Sequence, residues 1–416
     1  MMKTKEEALD WLYQQKKSKK REDLSRIKFC IEALDLLPTY KIIHIAGTNG
    51  KGSTASYIST MLESKGLKTG LFVSPFVIVF NERIEVNHAY ISDEDMVRYC
   101  NELKNFASEY EEQAQDTIPF FELTFLMALK YFKDQRVEIA VIECGIGGLL
   151  DATNCLYPVV SVITNIGFDH MSQLGSTLEE IALQKLGITR PNVPCFTCIT
   201  PNLKQVFTDY ATMHHIEINY VLEDVKHITT DGRYTYFTLD DVPYKTSMPA
   251  AYQAYNASLA IRVMNYLFPE YPKSQIDACL LNTFWPGRFE YFTEQILLDG
   301  AHNLPGVMAL KESLKQIYPN RKFKIIFTAL KDKSYPEMVR TLEEITEMFY
   351  FTTLTDKRST QVEEFSLLTS RPYKLYEHME EALKEAMLHL NKEEILVITG
   401  SLHFISEMRR ILKHEI

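Results

Sequence analysis

The sequence predicts an α/β fold: a doubly wound, mostly parallel sheet built around a P-loop-like turn, followed by a smaller α/β (Rossmann-like) domain. Short apolar, β-branched runs alternate with amphipathic helical stretches along most of the chain, the pattern of a parallel sheet with crossover helices. The stretch 41–53, K-I-I-H-I-A-G-T-N-G-K-G-S, reads as a buried strand, a glycine-rich turn and the start of a helix. The stretch 285–290, W-P-G-R-F-E, breaks the alternation, and a second α/β series begins after it. At 416 residues the chain is too long for one core and implies two or three domains. The boundary falls at Arg288, dividing the chain into domains 1–288 and 289–416.

In the first stretch Ile42, Ile43 and Ile45 are β-branched and apolar, while Gly47, Gly50 and Gly52 free the backbone to take φ > 0 and bring N–H groups close to an anion. A helix starting near Ser53 aims its N-terminal N–H groups and positive dipole end at the same anion, and Lys51 adds a full charge. The spacing is not the standard G-x-x-x-x-G-K-[S/T]: only Thr48 and Asn49 separate the first two glycines, and Gly52 interrupts Lys-Ser. A glycine-rich surface turn is the plainer reading. The order strand, glycines, lysine, hydroxyl, helix favours a phosphate cradle.

After a helix over 53–63 come a strand over 68–73 and an irregular stretch, S-P-F-V-I-V-F-N-E-R-I. Ser92 with Asp95 caps a helix to about residue 110, followed by a helix over 121–132 and a strand over 138–142 that ends at Glu143. A strand over 159–163 leads into T-N-I-G-F-D-H, and Thr177 with Glu180 caps a helix running through Gln184 and Lys185. Residues 193–241 read as strand-rich, with a hairpin turn at Asp231-Gly232, and a long helix follows over 250–267. In the second domain strands are predicted near 295–298, 323–328, 348–354 and 395–399.

Composition narrows the function classes. With 46% hydrophobic and 24% charged residues and no low-complexity tract, the chain reads as a soluble globular protein. No apolar run approaches the ~20 residues of a membrane span, and the lysine-rich N-terminus lacks the apolar stretch of a signal peptide, so a cytoplasmic protein with no membrane partner is expected. Seven scattered cysteines fit reduced thiols, and the lone C-x-x-C of Cys195 and Cys198 sits in a strand-like run with no second pair to complete a zinc site. A net charge of −10 argues against nucleic acid as partner. The basic run 16–21 reads as a solvated local patch.

The chemistry-bearing residues share one address, the carboxyl ends of strands, where open α/β sheets bind ligands. Ser74 follows one strand, Glu143 ends another, and Asp169 and His170 follow a third. A hydroxyl, a carboxylate and an imidazole beside a triphosphate are reasonable ligands for Mg²⁺. Singly, each has a plainer reading as a solvated strand end or a hydrogen-bonded histidine. Gly145, Gly147 and Gly148, in E-C-G-I-G-G-L-L-D-A-T-N, suggest backbone passing close to a ligand.

Together G-T-N-G-K-G-S, N-E-R-I, F-F-E-L-T, E-C-G-I-G-G-L-L-D-A-T-N, I-G-F-D-H, W-P-G-R-F-E, L-D-G-A-H-N and T-G-S-L-H resemble bacterial folylpolyglutamate synthase, in many bacteria bifunctional with dihydrofolate synthase, within the Mur ligase superfamily. The resemblance runs from about residue 42 to residue 405, in the family's order. It implies a monomeric ligase that uses ATP and Mg²⁺ to join L-glutamate to a folate, or to dihydropteroate, through an acyl phosphate. On matching positions it implies that Thr48, Asn49, Gly50, Lys51, Gly52 and Ser53 hold the ATP phosphates, with Asn256, Arg288 and Asp299 as further ATP contacts. Ser74, Glu143 and His170 would bind Mg²⁺, and Phe121, Glu122 and Asp151 the folate. Lys51, His170, Lys185 and His302 would be the catalytic group, with Lys185 carbamylated by CO₂.

Phe76, Leu149 and Gln184 stand where the commonest family pattern has histidine, arginine and glutamate. The G-L-x-R stretch of the dihydropteroate site is not clear in 21–30, so tetrahydrofolate is expected to be the better substrate. A peptidoglycan Mur ligase would carry a whole nucleotide-sugar domain ahead of the loop, where only 1–46 stand here. A non-catalytic nucleotide-binding module would not need Glu143, His170 and Asp299 together.

Overall fold

The computed structural model describes residues 1–15 and 23–415. The basic run 16–21 lies outside the described residues. Contacts divide the chain into two units: Met1–Ile166 with Leu178–Leu222 and Leu259–Cys279, and Gly167–Thr177 with Glu223–Ser258 and Leu280–Ile416.

The first unit is built on eight strands: β1 (Lys41–Ala46), β2 (Thr69–Phe72), β3 (Ile84–Val86), β4 (Ala89–Tyr90), β5 (Ile139–Glu143), β6 (Val160–Ile163), β7 (Pro194–Thr197) and β8 (Glu217–Tyr220). Their order is β4-β3-β2-β5-β1-β6-β7-β8, parallel from β2 to β8 with the β3–β4 hairpin antiparallel at one edge. The β-branched run of β1 is buried on both faces, as a central parallel strand requires. Its register sets Ile45 beside Glu143 and Ala46 beside Ile163, so the ends of β5 and β6 flank the turn that follows β1.

The helices named here are α1 (Lys5–Gln14), α2 (Ser25–Ala33), α3 (Lys51–Ser64), α4 (Asp93–Ala114), α5 (Phe120–Asp134), α6 (Met171–Leu174), α7 (Leu178–Leu186), α8 (Lys204–His214) and α9 (Tyr252–Leu267). The Ser92 cap on α4 is as expected, its hydroxyl accepting from the Asp95 N–H. Other elements depart from the sequence reading. Helix α3 begins at Lys51, two residues before Ser53, and Gly52 lies inside its first turn, whereas only Gly47 and Gly50 of the loop take positive φ. Within 193–241, read as strand-rich, α8 spans eleven residues. Phe207 alone among them is buried, so the segment has no apolar stripe to betray its period. Helices α1 and α2 also escaped the sequence reading, although Thr4 caps α1 by accepting from the Glu7 N–H.

The second unit carries a six-stranded sheet of β12 to β17, after a three-stranded antiparallel sheet of β9 (Val225–Thr230), β10 (Thr235–Leu239) and β11 (Val242–Thr246). The larger sheet comprises β12 (Glu290–Thr293), β13 (Ile296–Asp299), β14 (Phe323–Phe327), β15 (Thr346–Phe351), β16 (Tyr373–Leu375) and β17 (Leu396–Thr399), in the order β12-β13-β17-β14-β15-β16. Only β12 runs antiparallel. The predicted turn joins β9 to β10, with Gly232 at φ +86°. Strands β12 and β16 sit at the two edges and are partly exposed, which is why no continuous apolar run announced them.

An imidazole is sealed inside the first sheet. His44 of β1 is fully buried, with Nε2 2.8 Å from Thr153 Oγ1 and Nδ1 without a partner. Burial, reinforced by the charge of Arg190, depresses this imidazole to about 3 from an ordinary 6.5. Between those values the unfolded chain binds a proton that the folded chain refuses, so stability falls as pH drops through the window. The expected loss from pH 7.5 to pH 5 is about 2 kcal/mol, read from urea midpoints. His44→Gln should flatten that dependence, and an unchanged slope would exclude His44 as its source.

Candidate active site

The loop after β1 is held from one side by the T-N dipeptide that follows β6. Thr48 N–H donates to the Asn165 carbonyl at 3.0 Å, and Asn49 N–H to Asn165 Oδ1 at 3.0 Å. Thr164 Oγ1 and Asn165 Nδ2 both donate to the Asn49 carbonyl, at 2.6 and 3.0 Å. Gly47 sits at φ +152°, and a Cβ there would lie 1.8 Å from Thr164 Oγ1, so only glycine fits. Gly50, at φ +83°, turns the chain into α3, whose first N–H groups are the donors that helices leave unpaired. Thr164 and Asn165 thus shape the loop, a role that no local signal in the sequence disclosed.

Two ammonium groups converge on one carbonyl. Lys51 Nζ donates to Gly47 O at 3.2 Å and to Thr48 O at 3.3 Å, while Lys185 Nζ, on α7, donates to Gly47 O at 3.0 Å. Lys185 is 3% exposed, whereas most lysines on helices are solvated. Glu143, also 3% exposed, brings Oε1 to 3.8 Å from Lys51 Nζ and accepts from the Ser74 N–H at 3.4 Å. Ser74 and Glu143 are therefore brought together at the loop in the first unit. Thr48 and Ser53 are buried beside them.

The residues assigned to folate divide. Asp151 accepts from the N–H groups of Gly145, Ile146 and Thr153, each at 3.0 Å, and from Thr153 Oγ1 at 2.6 Å, so its carboxylate shapes the 145–153 turn. Glu122 is held bidentately by Arg26 of α2, at 2.8 and 2.9 Å. Phe121 packs over Gly145, where a Cβ would come within 2.7 Å of its ring. The glycines of this stretch have a packing cause rather than a ligand-driven one at two positions. Gly145 makes room for Phe121, and Gly148 for the Gln184 carbonyl, 2.6 Å from an added Cβ.

Asp169 and His170 belong to the second unit. Asp169 accepts from Asn303 Nδ2 at 2.8 Å, pairs with Lys333 and lies 3.4 Å from His302 Nε2. Burial alone would raise its pKa, but the His302 hydrogen bond and the charges of His302, Lys333 and His170 hold the carboxyl far below its usual range. His302 Nδ1 is 2.9 Å from the Gly300 carbonyl, and His170 Nε2 is 3.9 Å from Asp169 Oδ2. Lys333 was not anticipated, because a lysine in a polar loop carries no sequence signal of burial.

Asp299 closes β13 and accepts from the Phe289 and Ala301 N–H groups, at 2.8 and 2.9 Å, and from Tyr252 OH at 3.0 Å. Burial raises its pKa against the pull of Arg288, whose guanidinium donates to the Gly300 carbonyl. Asn256 Nδ2 donates to Gln253 Oε1 at 2.9 Å, also within this unit. Among the described residues no three His, Cys, Asp or Glu side chains are grouped to hold a metal, and no helix is long and apolar enough to cross a membrane. Cys195 and Cys198 are both buried.

A glycine-rich loop ends β1 in a mostly parallel sheet, a second α/β sheet follows, and two family models that together cover most of the chain place it among the Mur ligases. The Mur ligase middle domain matches residues 45–264, and the Mur ligase glutamate ligase domain matches residues 287–402. The dihydrofolate synthase/folylpolyglutamate synthase of Bacillus subtilis is 34% identical, over 98% of this chain and 99% of its own. The folylpolyglutamate synthase of Lacticaseibacillus casei is 32% identical, over 89% and 90%. The crystal structure of Mycobacterium tuberculosis folylpolyglutamate synthase complexed with ADP and AMPPCP superposes with a TM-score of 0.89 at 26% identity, covering 97% of each chain. The chain belongs to the dihydrofolate synthase/folylpolyglutamate synthase family, and with it to the ATP-dependent ligases. Matches over nearly the full length of these relatives set aside the peptidoglycan ligase and the non-catalytic module.

Proposed function

We propose that the protein joins L-glutamate to tetrahydrofolate, converting ATP to ADP and phosphate. The observation that carries this reading is the convergence of Lys51, Lys185 and Glu143 on the Gly47 loop, in a chain of this family. A carboxylate oxygen of the folate forms a bond to the γ-phosphorus as the bond to the bridging oxygen of ADP breaks. The amine of glutamate then attacks the acyl carbon, the C–N bond forms, and phosphate leaves with the electron pair while the nitrogen loses a proton. The loop N–H groups from Gly50 to Ser53, together with Lys51, position and neutralise the phosphates, while Thr48 and Asn49 brace the loop against Asn165. Asn256, Arg288 and Asp299 are assigned as further nucleotide contacts, and His302 follows Asp299 in the D-G-A-H-N stretch.

Glu143 and Ser74 offer the hard oxygen donors that Mg²⁺ prefers, few enough to leave room for water and phosphate oxygens, and His170 is the third proposed ligand. Bound there, Mg²⁺ would neutralise charge on the transferring phosphoryl group. Folate contacts are assigned to Phe121, Glu122 and Asp151, with Glu122 fixed by Arg26 of α2 and Asp151 acting chiefly through the 145–153 turn it shapes. A functional division near Arg288 follows the two family matches. A monomer in the cytoplasm, without nucleic acid or membrane partners, completes the reading, in keeping with a net charge of −10.

The test is product analysis with ATP, Mg²⁺, glutamate and tetrahydrofolate: a folate longer by one glutamate, with one ADP per bond formed. No elongated product, or AMP in place of ADP, would refute the reading. In the same assay kcat/KM should favour tetrahydrofolate over dihydropteroate, and the reverse order would remove the substrate assignment.

A further inference from the structure

The N-E-R-I stretch holds an arginine that the ligase reading has not used. Arg83 ends the 3₁₀ turn Phe80–Arg83 just before β3 and is only 7% exposed. Its guanidinium carbon lies 5.5, 5.6 and 5.4 Å from the ring centres of Phe76, Phe80 and Phe120, and Tyr13 stacks on Phe120 at 5.4 Å. Cation–π attraction offsets part of the desolvation, but a buried guanidinium remains costly without an anion.

Arg83 has no such anion from the protein. Its Nε is buried without an acceptor, and among the described residues no carboxylate pairs with it. Half-buried arginines differ: Arg26 holds Glu122, Arg190 donates to five oxygens, and Arg409 pairs with Glu290. The carboxylates whose fields reach Arg83 are engaged elsewhere. Glu82 accepts from the N–H groups of Val77, Ile78 and Val79, and Glu143 faces Lys51 and the Ser74 N–H. Burial lowers Arg83 to about 10, which leaves it cationic at neutral pH.

We propose that Arg83 receives the reacting carboxylate of the acyl substrate, with the Phe76, Phe80 and Phe120 rings walling the aromatic part of that substrate. This rests on the ligase reading. A guanidinium fork matches a carboxylate in two parallel hydrogen bonds, and the rings orient the fork in advance. Arg83 belongs to the first unit, as do Glu143 and the Gly47 loop. Phe76, a departure from the common family pattern, thereby acquires a role as one wall of the cage.

The experiment compares equilibrium binding of tetrahydrofolate and of its γ-carboxamide, which keeps the α-carboxylate but lacks the reacting γ-carboxylate, to the wild type, Arg83→Met and Arg83→Lys. Methionine keeps an apolar stem among the rings. Arg83→Met should bind the acid roughly 10- to 100-fold more weakly and the amide within about threefold of wild type. Arg83→Lys should recover part of the acid binding. Acid and amide weakened alike, or a loss that falls on AMPPCP binding instead, would overturn the inference while leaving the ligase reading intact. If Arg83→Met does not fold, Arg83→Lys and Arg83→Gln carry the same acid-to-amide comparison. A wild type that neither binds nor elongates tetrahydrofolate would overturn the ligase reading, and this inference with it.

Discussion

Glu143→Gln is expected to lower kcat by roughly 10²- to 10³-fold while the protein stays folded. Glutamine keeps the shape of the buried side chain and an oxygen for the Ser74 N–H, but it removes the charge that faces Lys51. Glu143→Ala should be at least as inactive and less stable. Glu143 is buried rather than a solvated strand end, so truncation also leaves a small void and an unpaired donor. Turnover measured against Mg²⁺ concentration separates the roles. A glutamine variant with near-normal turnover at limiting Mg²⁺ would remove Glu143 from the metal site.

Lys185→Ala should be nearly inactive, and acetate or another short carboxylic acid should restore part of the activity. A buried amine that reacts with CO₂ becomes a carbamate, an anion able to accept hydrogen bonds and support Mg²⁺ beside the phosphates. Alanine removes that carboxylate, and the space left beside Gly47 is where a small acid could replace it. The modification itself is read by mass spectrometry of native, bicarbonate-equilibrated protein. An unmodified amine in fully active enzyme, with no rescue by acetate, would refute carbamylation and leave Lys185 as a loop-positioning cation.

What was legible in the sequence was what local chemistry specifies. The β1 run, the Glu143 strand end and the Ser92 cap each depend on residues within one element, and each sits within a residue or two of its predicted place. Long-range roles were hidden. Lys185 reaches Gly47 across 138 positions, and Asn165 reaches Asn49 across 116, distances over which no periodicity carries information. Identity misled where one residue type serves two ends. Gly145 and Gly148 read as room for a ligand but make room for Phe121 and the Gln184 carbonyl. Asp151, assigned to folate, also gathers four protein donors that its spacing did not announce. In α8 the helical period vanished because one buried side chain is too few to mark a face.

The path of the chain bears on how the protein is made. The backbone passes from one unit to the other after Ile166, Thr177, Leu222, Ser258 and Cys279, so neither unit is a continuous piece of polypeptide. No single cut between two residues leaves both intact, and a fragment ending at Arg288 holds all of the first unit together with orphaned pieces of the second. On the ribosome the first sheet has all its strands once Tyr220 has emerged, yet its unit waits for Leu259–Cys279. By then Gly167–Thr177 and Glu223–Ser258 are already outside the exit tunnel, without the six-stranded sheet that will receive them. Such deferred, long-range closure slows folding and lengthens the time that strand edges stand unpaired during synthesis.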